Sequence, residues 1–274
     1  MKYSIGEGKM INNYFEKEFE LRYFEMNEFG FASPTTILTL LEETAAEHCY
    51  SINHSLYQLG GQNIGWVLVS GMMQMERYPR YKEKITIRTW MSKYTLIKGF
   101  RDNIIYDEQN NIIGRAKGLW VFFDIKRRKP VRIFDDIIKK WSCCKEESID
   151  YDISTKIEEF DNPDYQLEFK VNRYDTDMVR HVNNIRYLQW VVESVPIGII
   201  TDYYLYAIDG RFMVEANYGQ TIVSLTKDDT GNTSFLHTIK IKGTDKVCAT
   251  AKTIWKKKET GRHKTENLGQ AYGI

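Results

Sequence analysis

Residues 181–193, HVNNIRYLQWVVE, lie against residues 31–43, FASPTTILTLLEE, at an offset of 150. Two later correspondences run in the same order. Tyr81-x-x-x-Ile85 matches Tyr218-x-x-x-Ile222 at an offset of 137, and each leads into β-type sequence, ITIRTW at 85–90 and IVSLT at 222–226. IIGRAKGLWVFF at 112–123 matches VCATAKTIWKKK at 247–258, both carrying Ala-Lys-x-aliphatic-Trp, with Trp120 and Trp255 135 residues apart. Offsets that drift only through loop lengths point to duplication of one unit.

Each unit reads as one long helix followed by strands. In the first, Ser33 is a good N-cap and Pro34 suits the first helical position, where a missing N–H costs nothing. Ile37, Leu40, Leu41 and Thr44 then form a stripe at helical spacing. In the second, Asn183 or Asn184 can cap, Leu188, Val191, Val192 and Val195 share a face, and Pro196 stops the helix. After each helix come three or four strands with alternating or continuous apolar character, separated by turn signals such as Gln109-Asn110-Asn111 and Asp229-Thr230-Gly231-Asn232. One helix followed by an antiparallel sheet is the pattern of a sheet wrapped round a central helix. The expected division is a first unit at 1–135, a polar, weakly periodic linker at 136–164 and a second unit at 165–274.

Bulk properties narrow the function classes. Lys+Arg at 38 against Asp+Glu at 37 gives a net charge of +1, so no overall field marks a nucleic-acid binder. An aromatic content of 14% suits pleated, half-buried surfaces better than a helix bundle. Cys49, Cys143, Cys144 and Cys248 form no CxxC pair and no metal-ligand spacing, which points to a reducing cytosol without zinc or disulfides. No apolar run approaches the ~18 residues needed to span a bilayer, and the N-terminus lacks a signal-type apolar segment. The chain reads as soluble, unexported and cytoplasmic, with no membrane partner.

Chemistry concentrates just before the second helix, where Asp177, His181, Asn183 and Asn184 fall within eight positions. By themselves Asn183 and Asn184 are caps, and a histidine there is a loop or capping residue as readily as a catalyst. A helix N-terminus nevertheless favours developing negative charge, so His181 sits where an oxyanion could be stabilised. Glu215 follows in the VEANYGQTI segment at 214–222.

DTDMVRHVNNIRYLQWVVESVP at 175–196 and VEANYGQTI resemble segments of the acyl-acyl carrier protein thioesterases of plant plastids and some bacteria, built from two hotdog folds in one chain. ASPTTILTLLEETAAEH at 32–48, GWVLVSGMMQMERYPRYKEKITIRTW at 65–90 and GRAKGLWVFFDIKRRKP at 114–130 fit the same family, so the resemblance runs over about residues 15 to 260. It implies an α+β tandem (double) hotdog and a bacterial hydrolase releasing free fatty acid from acyl-acyl carrier protein to end fatty acid synthesis. It also implies catalysis by His181 and Glu215 with Asp177 ordering the loop, Asn183 and Asn184 supporting, and no metal or organic cofactor. Thioester hydrolysis needs an activated water and a donor to the carbonyl oxygen, whereas a thiol with a pKa of about 8.5 leaves with little help. The strand bearing Glu215 is expected to present it to His181, as general base or as the group that orients the imidazole.

Two positions depart from the family pattern. Val179 stands where an asparagine is usual and can neither orient a water nor donate to an oxygen, while Ala216 replaces the cysteine beside the glutamate. The first unit carries Phe31 and Ser33 in place of His181 and Asn183, so its expected role is an apolar wall and pocket for the acyl chain. Basic runs at Lys126, Arg127 and Arg128 and at Lys256 and Lys257 are solvated strand ends or a docking face for an acidic carrier protein. An acyl-coenzyme A thioesterase and a non-catalytic acyl-binding protein weakened at Val179 stay open as alternatives, as do monomer and homodimer.

Overall fold

The computed structural model describes residues 8–11, 13–59, 61, 63–141, 143–177, 180–231 and 233–258, so Val179 lies outside the described residues. The first unit contains β1 (Lys9–Ile11), β2 (Tyr14–Glu20), α1 (Pro34–Ser51), α2 (Leu56–Leu59), β3 (Ile64–Met75), β4 (Lys84–Tyr94), β5 (Lys98–Asp107), β6 (Ile112–Asp124) and the short β7 (Lys129–Pro130). After α3 (Asp135–Lys140), the second unit repeats the order with β8 (Tyr165–Lys170), α4 (Asn184–Glu193), α5 (Ile197–Asp202), β9 (Tyr203–Phe212), β10 (Thr221–Asp228), β11 (Ser234–Ile241) and β12 (Val247–Lys257). This is the double hotdog.

The two sheets join edge to edge. Antiparallel pairing of β3 with β9 produces one 12-stranded sheet in the order β1-β2-β4-β5-β6-β3-β9-β12-β11-β10-β8, with β7 paired to β6. Closure at β3 and β9 removes the exposed edge that each unit alone would present. Gly71 opposes Gly210 at this junction. A Cβ on Gly210 would come within 2.9 Å of Leu188 Cδ2, so a larger residue here would make the Leu188 side chain of α4 shift.

Both helices start as the sequence requires. The Ser33 hydroxyl accepts the Thr36 N–H at 3.0 Å, and the Asn183 side chain accepts the Ile185 N–H at 2.8 Å; losing either cap costs about 1 kcal/mol. Ile37, Leu40, Leu41 and Thr44 of α1 are buried, as are Leu188 and Val191 of α4, and α4 ends at Glu193, three residues before Pro196. Tyr187 and Trp190 also face the core from α4, where their rings meet edge to face at 5.6 Å.

The segment at 136–164 is an ordered strap across the outer face of the sheet. There the strands carry buried charge: Asp102, Lys117, Asp209 and Arg211 are each less than a tenth exposed. The strap satisfies them. The Ser148 N–H and hydroxyl both donate to Asp102 at 2.7 Å, Lys117 donates to the Ile149 and Tyr151 carbonyls, and the Tyr151 hydroxyl donates to Asp209 at 3.1 Å. Arg211 donates to the Thr155 carbonyl at 2.6 Å and pairs with Asp209. Buried charges persist only with such partners, so polar sequence here reflects a polar layer rather than a solvated tether. No helix among the described residues is long and apolar enough to cross a membrane.

Candidate active site

His181 stands at the end of a tight loop closed on itself. The Asp177 N–H donates to the His181 carbonyl at 2.9 Å, the Arg180 N–H to the Asp177 carbonyl at 3.0 Å, and the His181 N–H to Asp177 Oδ1 at 3.4 Å. Arg180 adopts φ +66°, the left-handed turn that brings His181 back toward Asp177. Asp177 thus orders the backbone on either side of the imidazole. Asn183 then caps α4, and Asn184 Nδ2 donates to the Leu68 carbonyl of β3 at 3.2 Å, tying the start of α4 to the first unit.

Glu215 arrives from a second loop rather than from a strand. β9 ends at Phe212, the Met213 N–H still bonds the Cys248 carbonyl, and the chain then leaves the ladder. Ala216 is held on both sides, because its N–H donates to the buried Tyr187 hydroxyl at 2.8 Å and its carbonyl accepts the Val182 N–H at 3.1 Å. With its neighbour fixed in this way, Glu215 Oε1 lies 3.2 Å from His181 Nδ1.

A third group completes the pair, and its sequence context hid it. Arg128, in the turn between β6 and β7, reaches Glu215 Oε2 at 2.8 Å from 87 residues away. Arg128 itself adopts φ +50°, a conformation that costs a non-glycine residue about 1 kcal/mol or more and persists where contacts over-determine it. One carboxylate oxygen therefore faces the guanidinium and the other faces the imidazole.

The other predicted site residues do not all meet there. Arg127 turns back on Asp124, whose carboxylate accepts the Arg127 N–H at 2.8 Å, and Lys126 is exposed beside it. Lys256 and Lys257 lie toward the opposite end of the sheet, since Lys257 is registered with Tyr203 at the start of β9, whereas Glu215 follows its end. Lys256 sits over the Tyr206 ring and 3.8 Å from Glu76, and both lysines border a polar cleft with Arg77, Glu83 and Asp107. The two basic runs therefore do not form one face. Phe31 is buried, as its apolar role requires, and borders a cavity with Phe29, Tyr78, Val192, Leu205 and Trp255. Among the described residues no group of three or more His, Cys, Asp or Glu side chains is placed to hold a metal ion.

Two family models cover most of the chain: the acyl-ACP thioesterase N-terminal domain at residues 12–141 and the acyl-ACP thioesterase C-terminal domain at residues 158–257. Oleoyl-acyl carrier protein thioesterase 1 of Arabidopsis thaliana, a chloroplastic protein, is 25% identical over 276 residues, covering 89% of this chain and 76% of the relative. The fold matches an acyl-ACP thioesterase from Bacteroides thetaiotaomicron with a TM-score of 0.81 at 20% identity, covering 89% of this chain and 98% of that one. It also matches the 12:0-ACP thioesterase from Umbellularia californica, again with a TM-score of 0.81 at 20% identity, over 91% and 100% of the two chains. With both halves matched and the two loops brought together, the chain belongs to the acyl-ACP thioesterases.

Proposed function

We propose that this thioester hydrolase acts on acyl-acyl carrier protein, with His181 as general base and Glu215 as the group that orients it. The contact of 3.2 Å between His181 Nδ1 and Glu215 Oε1 carries the reading. With Nδ1–H directed to Glu215, Nε2 takes a proton from water as the oxygen attacks the thioester carbonyl. The carbonyl oxygen gains charge over the N-terminal turn of α4, whose N–H groups and dipole favour an anion. Collapse of the adduct breaks the carbon–sulfur bond, and the proton held by His181 passes to the departing thiolate. The products are a fatty acid and the free thiol.

For the acyl chain, the first unit offers an apolar cluster on the strand that Asn184 contacts. Asn184 is bonded to the Leu68 carbonyl, and two residues along the same strand Trp66 packs with Phe122, Met91 and Trp141 between α1 and the sheet. Deep apolar walls with few polar groups are the usual makeup of such sites.

The experiment is free-thiol release from a panel of acyl-acyl carrier proteins and the matching acyl-coenzyme A esters. Turnover favouring the carrier protein supports the assignment. Preference for coenzyme A would move the substrate, and acyl binding without turnover from folded protein would leave a binding protein in its place.

A further inference from the structure

The central helix of each unit borders the other unit's loop. On one side, Val192 of α4 lines the apolar cavity with Phe31, Pro34 and Tyr78 of the first unit. At the repeat offset of 150 its counterpart on α1 is Glu42, and Glu42 borders the His181 loop: Asn183 Nδ2 lies 3.4 Å from Glu42 Oε2. The carboxyl is held above the ordinary glutamate range, first by lost hydration and then by the nearby Asp177 and Glu43 charges, against the opposing Asn183 hydrogen bond. Glu42 is nevertheless an exposed residue, so water reaches it.

Four positions thus change together between the two loops. Asn27, Phe31, Tyr78 and Val192 surround one; Asp177, His181, Glu215 and Glu42 surround the other. Three of the second set already have a place in the chemistry or its loop. The fourth comes from the opposite unit.

We propose that Glu42 is a catalytic residue of the His181 centre, accepting one O–H of the attacking water so that the other O–H points to His181 Nε2. The inference rests on the hydrolase reading above. A carboxylate suits this task because it has two acceptor oxygens. Oε2 serves Asn183, while Oε1 accepts no hydrogen bond from the described residues.

The test is Glu42→Gln. Glutamine has a single acceptor oxygen, and with that oxygen given to Asn183 the amide presents N–H to the water, the wrong polarity. The expected result is a fall in kcat of about a hundredfold, the scale of a misplaced reactant, with KM unchanged. An E42Q enzyme that keeps pace with wild type overturns the proposal, and so does a loss confined to KM. Wild type without turnover is a different failure, because it removes the hydrolase reading itself.

Discussion

The loops closed by Asn27 with Phe31 and by Asp177 with His181 share one hydrogen-bond pattern and differ in their side chains. Each follows a 3₁₀ turn, Tyr23–Glu25 in the first unit and Arg173–Asp175 in the second, and folds back on the chain two positions later: the Asn27 N–H donates to the Phe31 carbonyl at 2.7 Å, and the Asp177 N–H to the His181 carbonyl at 2.9 Å. The side chains follow the same plan, with Asn27 Oδ1 accepting the Phe31 N–H at 3.1 Å and Asp177 Oδ1 the His181 N–H at 3.4 Å. Even the left-handed position recurs, as Gly30 at φ +77° and Arg180 at φ +66°. Farther along, the Ala32 N–H meets the Pro79 carbonyl where the Val182 N–H meets that of Ala216, so Tyr78 and Glu215 occupy equivalent places. A single frame therefore carries an apolar seam in one unit and a polar cluster in the other. Side-chain identity, not backbone geometry, separates the two.

His181→Ala removes the largest share of that difference. By the magnitude typical of a general base, kcat should fall about 10²–10⁴-fold in the thiol-release assay. Because His181 is only partly buried and its loop is closed by backbone bonds, the thermal midpoint should stay close to wild type. Retained turnover would show that the polar loop is no more a catalyst than its apolar twin.

The reverse change tests the other loop. Tyr78 is buried, and its hydroxyl donates to the Leu205 carbonyl at 2.9 Å. Tyr78→Glu would place a carboxylate, without the open water that Glu215 enjoys, in an apolar seam; leaving a buried charge unpaired costs about 3–5 kcal/mol. Tyr78→Phe, which only orphans the Leu205 carbonyl, should cost about 1 kcal/mol. Denaturant midpoints distinguish the two. Equal stability of Y78E and wild type would mean that the seam tolerates charge, and that its apolar character is not what separates the loops.

How far this was legible depended on where each partner came from. Ser33, Asn183 and the apolar stripes of α1 and α4 act within a turn or two of chain, so spacing alone revealed the helices and the offset of 150. Asp177 and His181 also act locally. Glu215, by contrast, sits in a loop whose sequence, MVEANYGQ, carries no periodic signal, and only resemblance singled it out. Arg128 lies within Lys126-Arg127-Arg128-Lys129, where a charge run reads as a solvated turn. Nothing in that run distinguishes the one guanidinium aimed at Glu215 from its neighbours. The strap between the units is hidden in the sequence for the same physical reason: Asp102, Lys117, Asp209 and Arg211 resemble an open strand face until the segment covering them is seen.

Arg128 allows a finer cut at the comparison, because the first unit lends it to the second unit's glutamate. Arg128→Ala should lower kcat by about tenfold, as Glu215 loses the contact to Oε2 that helps aim Oε1 at the imidazole. Arg128→Lys should recover part of the loss, since an ammonium keeps the charge but not the planar fork. A change confined to KM would instead assign Arg128 to substrate capture.

The smallest effect concerns Lys126 and Arg127, which share the turn of Arg128, the residue that contacts Glu215, and themselves pair with neither His181 nor Glu215. If that edge receives the acidic carrier protein, charge reversal at both should raise KM for acyl-acyl carrier protein by a few-fold while leaving acyl-coenzyme A and kcat alone, since exposed charges act mainly on encounter. Raising the salt concentration should erase the difference between mutant and wild type. Reversal at Lys256 and Lys257 is the control that locates the effect, because these lysines occupy the far end of β12, beside the cleft with Glu76 and Asp107. Equal responses from both pairs would mean that the carrier protein feels only net charge. A response from the Lys126 pair alone would place its approach over the loop that duplication made polar.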